Sequence, residues 1–113
     1  MGTKEEKIEL YSNDIKKFDN GKVDLEFLEI VVKNLGPSIY KADAEKVSCS
    51  SKEEMERVRK NFIEKKLGVT DADLANKVIQ ETCEKVGKSN RNKYRATFYY
   101  FIAKALNKTS ALS

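Results

Sequence analysis

The sequence predicts an all-α fold: a compact single-domain bundle of five main helices and one short helical turn, with the aromatic C-terminal helix at its centre. Apolar residues recur at three- and four-residue steps, as in Ile8, Tyr11 and Ile15, which is the spacing of one helical face. Capping residues precede such segments and glycines follow them, and no segment alternates as a strand does. A chain of 113 residues suits a single core. We therefore assign residues 1–113 to one domain and expect residues 1–3 and 108–113 to be frayed.

The first two helices have clear boundaries. The periodic segment Lys4–Phe18 predicts the first helix, and the turn formers Asn20-Gly21 end it. Asp24 is placed to cap the second helix, which stops at Gly36-Pro37. The following segment, 38–44, is short and predicts a single helical turn.

The two middle helices begin at capping patterns. Ser51 with Glu54 three residues later forms a capping box for a helix that runs to about Leu67. Thr70 with Asp73 repeats the pattern, so we expect Thr70 to cap the next helix, which ends before Gly87.

The last helix is predicted over residues 90–107, with Ser89 as its N-cap. It is apolar on most of its circumference, so we expect it to be covered on several sides, by its own fold or by a second copy of the chain. Its aromatic residues are the candidates for core packing or for an interface between copies: Phe98, Tyr99, Tyr100 and Phe101.

The composition argues against most catalytic and metal chemistry. The chain contains no histidine, which removes both the commonest general base and the commonest transition-metal ligand. We therefore expect no metal and no cofactor, and an enzyme ranks behind binding functions. Cys49 and Cys83 are far apart and lack CxxC spacing, so we predict free thiols and no disulfide.

Membrane and export signals are absent from the sequence as given. The longest apolar run, Phe98–Ala103, is far shorter than the roughly 20 residues of a membrane span. The N-terminal residues 4–7 are charged and do not resemble a secretory signal. We expect a cytoplasmic protein without a membrane partner.

Two short motifs resemble ligand sites but fail in context. Gly87-Lys88-Ser89 resembles the end of a phosphate-binding loop, but Thr82 occupies the place of the earlier glycine and the preceding segment is helical. Asp19-Asn20-Gly21 resembles part of a calcium loop, but Lys16 and Phe27 stand where carboxylates are needed. We interpret both motifs as helix boundaries or turns.

Charge is distributed unevenly along the chain. Residues 1–84 carry a net charge of −3, whereas residues 85–113 carry +7 and no acid. Lys88, Arg91 and Arg95 thus crowd the predicted start of the last helix, where positive charge opposes the helix dipole. A negative partner is expected nearby.

Two partners for these basic residues remain open. The first is an internal ion pair, with Asp43 or Glu84 as the acid, and we favour it because a guanidinium held against apolar surface needs a counter-charge. The second is a small anion or a nucleic-acid phosphate held by Lys88, Arg91 and Arg95.

Several segments resemble a known family of short bacterial proteins. Leu35-Gly36-Pro37-Ser38-Ile39-Tyr40 with Ala42-Asp43-Ala44, and residues 89–96 with Tyr99-Tyr100, are similar to the family catalogued as domain of unknown function 2853. Asn61-Phe62 and Lys65-Lys66-Leu67-Gly68 are similar too. The resemblance implies a compact helical domain in bacteria and assigns no activity or site.

The sequence therefore favours a non-enzymatic protein-interaction or self-associating module, with a second copy of the chain as the first partner to consider. Anion or nucleic-acid phosphate binding through the basic start of the last helix is the alternative.

Overall fold

The computed structural model describes residues 3–87, 93–108 and 111, with residues 42 and 43 described by their backbone only. The predicted all-α bundle is confirmed. In chain order its elements are α1 (Lys4–Phe18), α2 (Leu25–Leu35), a 3-10 helix (Gly36–Tyr40), α3 (Ala42–Glu45), α4 (Lys52–Arg57), a π-helix (Val58–Glu64), α5 (Ala72–Val86) and α6 (Arg95–Ala105).

Side-chain caps fix where the long helices begin. Thr3, Asp24, Ser51 and Asp71 each accept a hydrogen bond from the backbone amide three residues further on. The caps predicted at Asp24 and Ser51 are confirmed. The cap predicted at Thr70 is wrong: the Asp71 carboxylate takes the role, so α5 begins one residue later.

α4 continues directly into the π-helix. The amide of Val58 donates to the carbonyls of both Glu54 and Met55, and the amide of Lys65 donates to the carbonyl of Lys60 five residues back. The helix predicted from Ser51 to about Leu67 is therefore present as two joined parts, with the wider turn in the second. The widened part buries Val58, Phe62 and Ile63, whereas α4 itself has no buried residue.

α6 lies at the centre of the bundle, as predicted. It packs against α1, α2, α3 and α5. Phe98, Tyr100 and Ile102 have no exposed surface at all. The ring of Tyr100 lies 5.5 Å from that of Phe27 in α2, and burying aromatic rings of this size supplies much of the stability of a small core.

α6 begins later than the sequence predicted. It starts at Arg95 and not near residue 90, because Tyr94 has extended backbone and forms an isolated antiparallel bridge with Lys46. The amide of Val47 donates to the carbonyl of Lys93 at 2.8 Å. The predicted cap Ser89 lies outside the described residues.

Within residues 3–87, 93–108 and 111, none of the helices combines the length and the apolar content that a bilayer crossing requires.

Candidate functional site

Arg95 is the one residue of the predicted basic site whose side chain the structure describes. Lys88 and Arg91 lie outside the described residues, and so does the side chain of Asp43. Anion binding by this group as a whole therefore stays a prediction.

The Arg95 side chain is occupied by internal contacts. Its Nη2 lies 2.5 Å from Oε1 of Glu54, its Nη1 donates to the hydroxyl of Tyr99 at 3.1 Å, and its Nε donates to the carbonyl of Ala44 at 2.7 Å. The side chains of Arg95 and Glu54 are each 16% exposed. The acid is thus Glu54 in α4, and the sequence had suggested Asp43 or Glu84 instead.

The neighbours of Arg95 offset the cost of burying its charge. Burial by itself acts to lower the pKa of the guanidinium, but the neighbouring Tyr99 and Glu54 outweigh it and raise the pKa above its ordinary value. The Ala44 contact also joins the two longest segments that resembled the known family. Arg95 therefore holds α6, α4 and α3 together.

The aromatic residues proposed for an interface are mostly enclosed by the chain itself. Phe98 and Tyr100 are fully buried, and Phe101 is 6% exposed. Tyr99 is partly buried and stacks on Phe62, with ring centroids 3.9 Å apart. A partner cannot reach Phe98 or Tyr100 without disrupting the core, whereas Tyr99 and Phe101 also line surface cavities.

Two further polar clusters are built into the interior. The Tyr11 hydroxyl donates to Oε2 of Glu45 at 2.6 Å, and Lys7 Nζ lies 2.7 Å from the same oxygen. Burial, followed by the hydrogen bond to Glu45, raises the pKa of Tyr11. Nearby in the sequence, Asp14 accepts a hydrogen bond from the hydroxyl of Thr97 at 2.9 Å, and burial raises the pKa of its carboxyl. The polar side chains of these two clusters are therefore hydrogen-bonded or ion-paired to one another.

The prediction of free thiols is wrong. Cys49 and Cys83 form a disulfide, with their sulfurs 2.15 Å apart and their Cα atoms 6.1 Å apart. The two residues are 34 positions apart in sequence. They meet because the loop after Val47 lies beside the last turn of α5, a proximity that the spacing of the cysteines does not encode.

The disulfide and the Glu54–Arg95 pair together fasten α4 to the rest of the molecule. Cys49 lies two residues before Ser51, the cap of α4, and is bonded to α5, while Glu54 is bonded to α6. α4 has no fully buried residue and packs on the core through the partly buried Met55, so these two links stabilise its position where the longer helices rely on core packing.

A groove of about 380 Å³ runs between α4 and α5, beside the disulfide. Met55, Ile79 and the two bonded cysteines give it apolar and sulfur-rich surface. Its polar lining comes from both helices at four-residue spacing: Lys52 and Glu56 from α4, and Asn76 and Gln80 from α5.

The polar groups of the groove are available to a ligand. The side chains of Asn76 and Gln80 are exposed, and neither carboxamide has a hydrogen-bond partner among the described residues. Lys52 and Glu56 likewise make no ion pair within the described part of the chain. We take this feature, the α4–α5 groove, as the candidate functional site.

The groove suits recognition better than catalysis or metal binding. A carboxamide both donates and accepts hydrogen bonds but does not exchange protons near neutral pH. Over the residues that the structure describes, no three His, Cys, Asp or Glu side chains are grouped closely enough to hold a metal ion.

Sequence reasoning missed this site. Asn76 and Gln80 share a helix face with Ile79 and Cys83, which was detectable from the spacing. That α4 lies opposite this face was not detectable, because it depends on the disulfide and on Glu54 reaching Arg95.

Comparison with known proteins gives a family and no relative of known activity. Residues 10–110 match the model of a family described as protein of unknown function (DUF2853). No curated protein matches the chain.

Proposed function

The chain belongs to the DUF2853 family, whose description supplies no activity, and we propose that it is a non-enzymatic protein-interaction module that binds an extended peptide segment of another protein in the α4–α5 groove. The observation that carries this proposal is that the carboxamides of Asn76 and Gln80, beside the apolar surface of the groove, have no hydrogen-bond partner within the described part of the chain.

The spacing of the two carboxamides favours an extended peptide. Asn76 and Gln80 are four residues apart on α5, which places their Cα atoms about 6 Å apart along the helix axis. Along one edge of an extended chain, amide and carbonyl groups repeat every second residue, about 6.6 to 6.8 Å. Each carboxamide can therefore bond to one repeat of the peptide backbone, giving main-chain recognition of the kind that sheet edges use.

The apolar residues of the groove and the charged residues of α4 would select the side chains of the peptide. Met55, beside the largely buried Ile79, offers apolar surface to a central apolar side chain, and methionine adapts its shape to different partners. Lys52 and Glu56 carry opposite charges one helical turn apart, so they favour a peptide with an acid and a base at matching positions.

Other partners considered from the sequence gain less support. Self-association through Phe98, Tyr100 and Phe101 would require rings that lie in the core to be exposed. Arg95 is not free to bind a phosphate, because its guanidinium is hydrogen-bonded to Glu54, Tyr99 and the carbonyl of Ala44. The cytoplasm remains the proposed location, and a disulfide in that compartment is more often transient than permanent.

The test starts from the oxidised protein and random peptides displayed on phage. Enriched sequences are synthesised with a fluorescent label, and their affinity is measured by fluorescence anisotropy. We expect the enriched peptides to share a central apolar residue. Replacing both carboxamides, Asn76→Ala with Gln80→Ala, should weaken binding about tenfold or more, since each lost hydrogen bond is worth about 1 kcal/mol.

A control double variant on the same helix, Asp73→Ala with Lys77→Ala, should bind the peptides as the unmodified chain does. Both control residues are exposed and neither lines the groove. The proposal is wrong if no peptide is enriched, or if the two double variants bind equally well. Concentration-dependent dimerisation in sedimentation without peptide binding would replace it with self-association, and salt-sensitive binding of a labelled oligonucleotide would replace it with the phosphate alternative.

A further inference from the structure

We infer that the Cys49–Cys83 disulfide is a reversible redox site, attacked at Cys49 by a dithiol reductant, and that its reduction releases α4 from α5. The effect on peptide affinity rests on the proposed function, whereas the reduction and the release of α4 do not.

The two sulfurs differ in accessibility. Cys49 is partly buried and belongs to a loop between exposed Ser48 and exposed Ser50, whereas Cys83 is 4% exposed in the last turn of α5. Both line the α4–α5 groove, which is open to solvent. A thiolate entering the groove therefore reaches Cys49 first, and access decides which sulfur is attacked.

The chemical step balances with a dithiol as the reductant. One thiolate of the dithiol attacks the sulfur of Cys49, the bond between the two cysteine sulfurs breaks, and Cys83 leaves as a thiolate that takes up a proton. The second thiol of the reductant then loses its proton and attacks the reductant's own sulfur in the mixed disulfide, and Cys49 leaves as a thiolate that takes up a proton. The reductant ends as a disulfide, and the chain ends with two thiols.

The surroundings of Cys83 suit both redox states. The sulfur of Met55 lies 4.0 Å from that of Cys83, and buried thiols behave as small apolar groups. Reduction therefore leaves no buried charge once Cys83 is protonated. The charged side chains in the groove are Lys52 and Glu56, whose charges are opposite.

Reduction removes one of the two links that hold α4. The bridge between Lys46 and Tyr94 still fixes the start of the loop, and Glu54 still bonds to Arg95. The segment from Ser48 to Ser51 is then no longer tied to α5. Since α4 has no fully buried residue and packs on the core through the partly buried Met55, we expect it to open before α5, and one wall of the groove to open with it.

The first experiment maps the chemistry on the full chain in native buffer. Excess reduced glutathione is added, free thiols are blocked with iodoacetamide, and the modified cysteines are identified by mass spectrometry. We expect glutathione on Cys49 and the blocking group on Cys83. Dithiothreitol should then reduce the bond completely without denaturant, and oxidised glutathione should restore it. Glutathione on Cys83, or a bond that dithiothreitol reduces only in urea, would overturn the inference.

The second experiment follows α4 by limited trypsin digestion of the oxidised and the reduced protein. We expect the ratio of cleavage at Arg57 in α4 to cleavage at Lys77 in α5 to rise at least tenfold on reduction. The variant with Cys49→Ala and Cys83→Ala should show the raised cleavage ratio with or without the reductant. An unchanged ratio would mean that the disulfide stabilises the whole chain without holding α4, and would overturn the inference.

The peptides selected above supply a third readout. Reduction should weaken their binding at least fivefold, because one wall of the groove is released. If no peptide binds at all, the proposed function fails, while the thiol mapping and the digestion still decide the redox site. If peptides bind equally to both redox states, the link between reduction and the groove is wrong.

Discussion

Replacing Arg95 tests whether this residue serves the fold or a ligand. Arg95→Ala removes the ion pair with Glu54 and the hydrogen bonds to Tyr99 and to the carbonyl of Ala44. It leaves the Glu54 carboxylate, 16% exposed, without its partner from α6. Glu54 keeps a longer contact of 3.6 Å with Arg57.

The size of the effect follows from this burial. Breaking a fully buried pair by removing one partner costs about 3 to 5 kcal/mol, and the residual exposure of both groups places this pair at the lower end. We expect Arg95→Ala to lower the free energy of unfolding by about 3 kcal/mol. For a domain of this size that loss corresponds to a fall in melting temperature of about 12 °C. Glu54→Gln keeps the shape and an acceptor, and should cost about 1 to 2 kcal/mol.

The assay is urea unfolding followed by circular dichroism, arranged as a double-mutant cycle over Arg95 and Glu54. A coupling energy of about 1 to 3 kcal/mol is expected for groups in direct contact. Arg57→Ala is the control for losing an exposed cation beside Glu54: Arg57 is 64% exposed, its contacts with Glu53 and Glu54 are both 3.6 Å, and such surface pairs are worth less than about 1 kcal/mol.

The opposite result would refute the reasoning. If Arg95→Ala changes the free energy of unfolding by less than about 1 kcal/mol and instead abolishes salt-sensitive binding of a phosphate ligand, Arg95 is a binding residue. The internal pair would then be a minor contact.

Three further changes should have measurable effects on folding. Replacing Cys49 and Cys83 together by alanine opens a loop of 34 residues and should lower the free energy of unfolding in urea by up to about 4 kcal/mol. Adding a reducing agent to the oxidised chain should lower its free energy of unfolding by the same amount. Burial raises the pKa of the Asp14 carboxyl above 3.8, so the folded chain binds a proton at Asp14 more readily than the unfolded chain does. This proton binding stabilises the fold fully below pH 3.8, and the stabilisation is lost as the pH rises through the raised pKa of the folded chain. Asp14→Asn should therefore gain stability relative to the unmodified chain between about pH 3 and pH 7 in parallel urea titrations, and a constant difference would contradict this. Tyr100→Phe removes the hydroxyl that accepts the amide of Asp24 at 2.8 Å, and thermal unfolding should show a loss of about 1 kcal/mol.

The helices were predictable because their boundaries are local. The caps at Asp24 and Ser51 and the stops at Gly36 and Gly87 act within a few residues, so the sequence carries them directly. The start of α6 was not predictable, since it depends on the bridge between Tyr94 and Lys46, which are distant in sequence.

The environment of Arg95 was predictable only in part, and the α4–α5 groove was not predictable. The need of Arg95 for an acid follows from its place at the start of an apolar helix, and the structure supplies one. That the acid is Glu54, 41 residues away, depends on where α4 packs. The disulfide and the α4–α5 groove were not predicted for the same reason, because both depend on how distant segments of the chain pack together.

Native-state hydrogen exchange of the reduced protein at increasing urea concentrations tests the central claim most directly, namely that two links hold α4, which has no fully buried residue, in place. The account predicts that the amides of Met55, Glu56 and Arg57 exchange through a small opening that urea hardly affects. The amides of Ile79 and Cys83 in α5 should instead exchange with the free energy of global unfolding. If the α4 amides follow global unfolding as closely as those of α5, α4 is held by more than these two links, and the account is contradicted.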